Sequence, residues 1–112
     1  MTQIPKTQIP KTQTPEISFT LESDDDGGRY LAHVAGKPEP GELTFKRRGE
    51  NRILVDHVRV PHSLRGNGVA TALARHLVAE ARAKGFTAYP QCPFMVSQAE
   101  KNPDWADVIE PV

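Results

Sequence analysis

A chain with only one long helical repeat must give that helix something else to lie on. Ala70, Leu73, Ala74, Leu77, Val78 and Ala81 fall at i, i+3, i+4, i+7, i+8 and i+11, the spacing that gathers apolar side chains on one stripe of an α-helix. Glu80 and Lys84 can pair at i, i+4, and Gly85 supplies a stop. Most of what precedes this stretch has period two. Residues 17–21 alternate apolar with polar, and residues 29–35 and 42–47 are strand-like runs between turn-forming clusters at 23–28, 36–40 and 48–51. Residues 52–60 are longer and more apolar, as suits the middle of a sheet. Beyond Gly85, residues 86–91 form a short fifth strand. Residues 94–101 and 104–109 read as short helical pieces parted at Asn102-Pro103. The order β-β-β-β-α-β-α predicts an α/β (α+β) domain with a mixed central sheet of about five strands. A right-handed crossover through the helix sets 86–91 parallel to 52–60.

Ahead of this domain, residues 2–16 read TQIPK-TQIPK-TQTPE. Each unit carries a proline that removes a backbone donor and pushes its predecessor toward extended conformations. No copy is long enough to bury a face. The reading is a disordered or polyproline-II-like tail over 1–15, then a single domain over 16–112. Docking to a proline-reading partner is the functional alternative for the tail. Fourteen basic residues balance fourteen acidic ones, which gives no electrostatic reason to bind nucleic acid or an anionic membrane. No apolar run approaches the roughly 18 residues of a membrane span, and the N-terminus lacks the apolar core of a signal peptide. Cys92 is the single cysteine, so neither an intramolecular disulfide nor a multi-cysteine metal site is available. Four scattered histidines without ligand spacing add no metal site. The expectation is a cytoplasmic protein, monomeric or weakly homodimeric through its sheet edges.

The segment joining strand 52–60 to the long helix is the most informative. In Leu64-Arg65-Gly66-Asn67-Gly68-Val69-Ala70, two glycines occupy the first helical turn, where backbone amides lack an intrahelical partner. Without β-carbons these positions let an anion approach the N–H groups, and the helix dipole favours it. Arg65 can add a charge-assisted contact. The plain alternative is a tight turn into a helix. No Lys-Ser/Thr pair follows the second glycine, so this is no P-loop. Thr71 stands where a dinucleotide fingerprint needs its third glycine.

With a strand ending in Val58-Arg59-Val60-Pro61 before it and an amphipathic helix after it, Arg65-x-x-Gly68-x-Ala70 resembles the pyrophosphate-binding motif of GCN5-related N-acetyltransferases. His57-Val58-Arg59-Val60-Pro61, Leu64–Ala70 and Pro90-Gln91-Cys92-Pro93-Phe94 are similar to the minimal acetyltransferase-like proteins of the YjdJ type. The likeness spans roughly residues 17 to 110. It implies acetyl-coenzyme A as co-substrate and an amine, small-molecule or protein-borne, as acceptor. It also implies a pyrophosphate held by Arg65, Gly66, Asn67, Gly68, Val69 and Ala70. The pantetheine arm would lie along Val58 and Val60, where strand 52–60 splays from 86–91. The alternative is a coenzyme A-binding module without efficient turnover, because the chain lacks the early helices that usually wall the acceptor site.

Acetyl transfer needs a deprotonated amine, donors facing the oxyanion and a proton for the leaving thiolate. His57, near the end of the central strand, is the candidate base; its other reading is a core histidine bonded between sheet and helix. Cys92 precedes Pro93 at a helix start, where a thiolate is stabilised. It can serve as acetyl acceptor, as proton donor, or only as a small packed residue. The resemblance implies a tyrosine acid on the helix after the fifth strand. The last tyrosine here is Tyr89, inside that strand, which makes Cys92 the replacement candidate. Strand alternation sets Asp56 on the face opposite His57. His33 and His62 read as surface residues and His76 as a neighbour of the apolar helix stripe. Lys46, Arg47, Arg48 and Arg52 flank a hairpin turn as a solvated face, with the adenosine phosphate as a further possible contact. Trp105 reads as the anchor of the last helix.

Overall fold

Four strands follow one another as a meander because each is joined to the next by a short polar turn. A computed structural model describes residues 16–66 and 68–112; the repeat at 1–15 and Asn67 lie outside the described residues. The elements are β1 (Ile17–Ser23), β2 (Gly27–Val34), β3 (Gly41–Arg47), β4 (Arg52–Arg59), α1 (Val69–Lys84), β5 (Thr87–Pro90) and α2 (Pro93–Lys101). The sheet runs β1-β2-β3-β4-β5. Its first three pairings are antiparallel and β4–β5 is parallel, as the crossover through α1 requires. This is the mixed sheet expected from the pattern. The last expected helical piece is a 3-10 turn, Pro103–Asp107. Ile109 instead bridges in parallel to Ala88.

The first hairpin is tighter than its glycines suggest. Asp24 Oδ1 accepts from the amides of Asp26 (2.9 Å) and Gly27 (3.2 Å), an Asx turn that closes the loop by itself. Gly27 and Gly28 then belong to β2. A β-carbon on Gly27 would stand 2.3 Å from Phe45 O, and one on Gly28 2.3 Å from Glu22 O. Close approach within the sheet requires glycine here.

One face of the sheet holds the core. Tyr30, Leu43, Phe45, Ile53 and Val55 are buried against Leu73, Leu77 and Met95 of the two helices, each such side chain contributing roughly 1.5–3 kcal/mol. Phe19 of β1 stacks on His76 of α1 at 4.1 Å, and Tyr30 donates from its hydroxyl to Glu80 (3.3 Å). Burial and the Glu80 charge push the Tyr30 hydroxyl well above the ordinary phenol value. The other face carries polar ladders around Leu31, which is itself buried. Arg29 bonds Glu22 and Glu42, both at 2.9 Å, and Arg52 grips Glu110 through two nitrogens at 2.8 and 3.0 Å. Trp105 is buried beneath α2 and the C-terminal segment, in keeping with an anchoring role.

Candidate active site

The site begins where β4 and β5 part. They pair only from Arg52↔Thr87 to Val55↔Pro90, and the last link is Gln91 N–H to Val55 O at 2.9 Å. Pro93 has no N–H to extend the ladder on that side, and it opens α2 and turns the chain away. β4 continues to Arg59 beside β3 alone. At the same point its register slips: Thr44 faces His57 while Phe45 faces Val55. Asp56 is therefore an extra residue in a bulge, which bends and twists the strand.

That bulge corrects one expectation. Alternation was to set Asp56 and His57 on opposite faces. Instead Asp56 accepts from Thr44 Oγ1 and from Lys46 Nζ (3.2 Å), on the same helix-free face as His57, the partner of Thr44. Partial burial works against the Asp56 carboxylate, but hydrogen bonds from Thr44 and Lys46 and the lysine charge hold it below the usual carboxylate range. His57 itself is exposed, so the reading of a core histidine between sheet and helix does not hold.

Past Val60 the backbone turns through Pro61 and a 3-10 turn, His62–Leu64. Leu64 plugs the core with no exposed surface. Leu64 and Arg65 amides donate to Pro61 O (2.9 Å) and His62 O (3.1 Å), and Ala72 donates to Gly68 O (2.9 Å). The amides of Gly66, Gly68, Val69 and Ala70 have no acceptor among the described residues. Gly66 (φ 85) and Gly68 (φ 69) are both left-handed, and a β-carbon on either would meet nothing within 4 Å. These glycines are therefore needed for backbone conformation, and the space in front of them is open. Val60, Arg65, Gly66, Gly68, Val69 and Ala70 border one shallow depression of about 280 Å³. It lies at the N-terminus of a 16-residue helix with no acidic residue in its first turn, a positive environment.

Cys92 is the N-cap residue of α2, extended (φ −87, ψ 146), 8% exposed and part of the core. His57 looks out from the opposite side of the sheet, so the two are not a hydrogen-bonded pair. Val58 packs half-buried against the core beside Val60. Val60 thus meets the loop residues, whereas Val58, His57 and Cys92 stand around the parting of the strands. Asn67 lies outside the described residues.

The remaining residues fall away from the site. The turn bearing Arg48 precedes β4 and the glycine loop follows it, so Lys46, Arg47, Arg48 and Arg52 sit toward the other end of the sheet. Lys46 and Arg52 are also engaged by Asp56 and Glu110. The expected reach of this group to an adenosine phosphate therefore fails. His62 is exposed, while His33 is half-buried and bonded to Thr20 at 2.9 Å. Among the described residues no group of three or more His, Cys, Asp or Glu could hold a metal, and no helix is long and apolar enough to cross a membrane.

A strand pair that separates into a glycine-rich helix start defines a recognisable class. The family model for GCN5-related N-acetyl-transferase matches residues 29–108, and the chain belongs to that family. Members generally draw the acetyl group from acetyl-CoA. Among solved structures, a GCN5-like candidate N-acetyltransferase from Staphylococcus aureus, determined by NMR in solution, is similar in fold. Its TM-score is 0.63 at 23% identity, over 90% of this chain and 93% of that one. No curated protein matches the chain.

Proposed function

We propose that the protein transfers an acetyl group from acetyl-CoA to an amine. The observation that carries this reading is the continuity of two features. β4 is left without a parallel neighbour after Val55, and a few residues later the chain presents the uncommitted amides of Gly66, Gly68, Val69 and Ala70. Those donors, with Arg65 beside them, fit a diphosphate. The open side of β4 at 56–59 fits an extended, amide-bearing arm, which can pair there as an added strand would.

In the transfer, the amine nitrogen bonds to the acetyl carbon and the carbon–sulfur bond breaks. His57, exposed beside the bulge, takes the proton the amine loses. The thiolate that leaves takes a proton, for which Cys92 at the start of α2, beside the parting of the strands, is the candidate. If Cys92 instead carries the acetyl group in transit, its sulfur bonds the acetyl carbon as the coenzyme's carbon–sulfur bond breaks, and its thiol proton passes to the leaving thiolate. The amine then bonds that carbon, the Cys92 carbon–sulfur bond breaks, and the proton lost by the amine restores the thiol.

The second reading, a coenzyme A-binding module without turnover, is favoured by the helix-free face. Among the described residues no element there walls an acceptor pocket. Calorimetry with acetyl-CoA tests what the two readings share: absence of binding removes both. Release of free thiol over a panel of amines separates them, with release at the hydrolysis background favouring the module. Mass spectrometry under quench conditions that preserve thioesters distinguishes the roles of Cys92.

A further inference from the structure

The two edges of the sheet are finished differently. On β5 the C-terminal segment lies alongside: Ala88 donates to Val108 O and Glu110 donates back to Ala88 O, both at 2.8 Å. β1 has no such cover among the described residues. Glu16 accepts from Ala35 at 3.1 Å, which turns the backbone groups of residues 16, 18, 20 and 22 toward β2. Those of Ile17, Phe19 and Leu21 therefore face outward, unpaired. The usual protections of an edge are missing as well. β1 has no proline, no lysine and no bulge, and its one charged residue is Glu22 near the end. Leu21, 39% exposed, is one of two large hydrophobic residues in the open among the described residues. Below the edge runs a groove of about 580 Å³, bordered by Ile17 and Phe19 on the strand and by Gly68, Thr71, Arg75 and His76 on the helix side.

We infer that β1 is a homodimer interface, in which β1 of a second copy adds antiparallel to continue the sheet across a twofold axis at Thr20. The strand is self-complementary in that register. Phe19 stands opposite Leu21 of the second copy and Ile17 opposite its Ser23, all on the helix side. Glu22 stands opposite Ser18, so within the strand no like charges meet. Every outward-facing backbone group of Phe19 and Leu21 gains a partner, and Thr20 meets its symmetry mate in a non-hydrogen-bonded position. The incoming strand lays its Phe19 and Leu21 side chains beside the groove and covers the exposed Leu21. A strip of this width is small beside a standard interface, which defines a weak, concentration-dependent dimer.

Sedimentation equilibrium of the full chain tests this. The wild-type mass rises toward twice the monomer with concentration. Leu21→Lys, at an already exposed position, weakens association by about tenfold, since it breaks two Leu21–Phe19 pairs per dimer. Thr20→Cys places two thiols in a non-hydrogen-bonded pair with Cα atoms about 4.5 Å apart, within disulfide range. It cross-links under mild oxidation, whereas Ser18→Cys does not. A wild type that stays monomeric to millimolar concentration, association unchanged by Leu21→Lys, or Ser18→Cys cross-linking as fast as Thr20→Cys would each overturn the assignment. None of these readouts depends on acetyl-CoA, so the dimer and the proposed activity stand or fall separately.

Discussion

Replacing Gly68 by alanine separates what the loop does for the fold from what it does for a ligand. Gly68 (φ 69, ψ 22) caps the start of α1 and Gly85 (φ 80, ψ 39) caps its end. Both are left-handed, and a β-carbon on either meets nothing within 4 Å. Alanine at each position therefore carries the same cost, the left-handed backbone of an L-residue, about 1–2 kcal/mol. For a domain of this size each kcal/mol lowers Tm by about 4–8 °C. Gly68→Ala and Gly85→Ala are expected to destabilise equally in thermal or denaturant unfolding. Binding should part them. A methyl on Gly68 stands among the amides of the loop, and disturbing one hydrogen bond to a charged group loses about 1.5–3 kcal/mol. At about 1.4 kcal/mol per decade, the Kd for acetyl-CoA rises roughly 10- to 100-fold. With Gly85→Ala, at the far end of the helix, it stays within about twofold. Calorimetry on the two variants decides the matter. Equal affinities, or losses that merely follow stability, would refute a diphosphate role for these amides.

Three further outcomes follow from the same geometry. His57→Gln should lower kcat by about 10²- to 10⁴-fold if the imidazole is the base. Because His57 is exposed, its denaturant midpoint should correspond to less than about 0.5 kcal/mol of change. Gly27→Ala drives a methyl into Phe45 O and Lys46 Cα, both backbone atoms that cannot swing aside. Urea unfolding should show a loss of about 1–3 kcal/mol. Burial, with Lys84 in support, pushes His76 below its ordinary value of 6.5, against the pull of Glu80. The unfolded chain then binds more protons, so stability is full above about pH 6.5 and declines as pH falls toward the lowered folded value. His76→Phe, which keeps a ring against Phe19, should flatten that part of the Tm-versus-pH curve.

How much of this was legible in the sequence depended on whether the signal was local. The stripe from Ala70 to Ala81 and the stop at Gly85 marked α1, which runs Val69–Lys84, because helical periodicity is a property of one segment. The glycine pair before it was equally visible, since a left-handed position announces itself by residue type. The face of Asp56 was not. Its bulge is a mismatch between β3 and β4, and nothing in residues 52–60 taken alone records that one residue will be skipped. Gly27 and Gly28 misled for a related reason. Turn residues and tight interstrand contacts both select glycine, and only the approach of Phe45 O tells them apart. The distance of Arg47 and Arg48 from the glycine loop is legible as well: a turn before a strand and a loop after it stand at opposite ends of that strand.

The return of the chain along β5 has a bearing on the slot itself. β5 is only four residues long, and what keeps it straight on its outer side is the clasp of Val108 and Glu110 on Ala88, tightened by Arg52. The rigidity of one wall of the proposed cleft is thus lent by residues 108–110. Loosening them, as in Glu110→Ala, should quicken amide exchange at Ala88 before any part of the core responds.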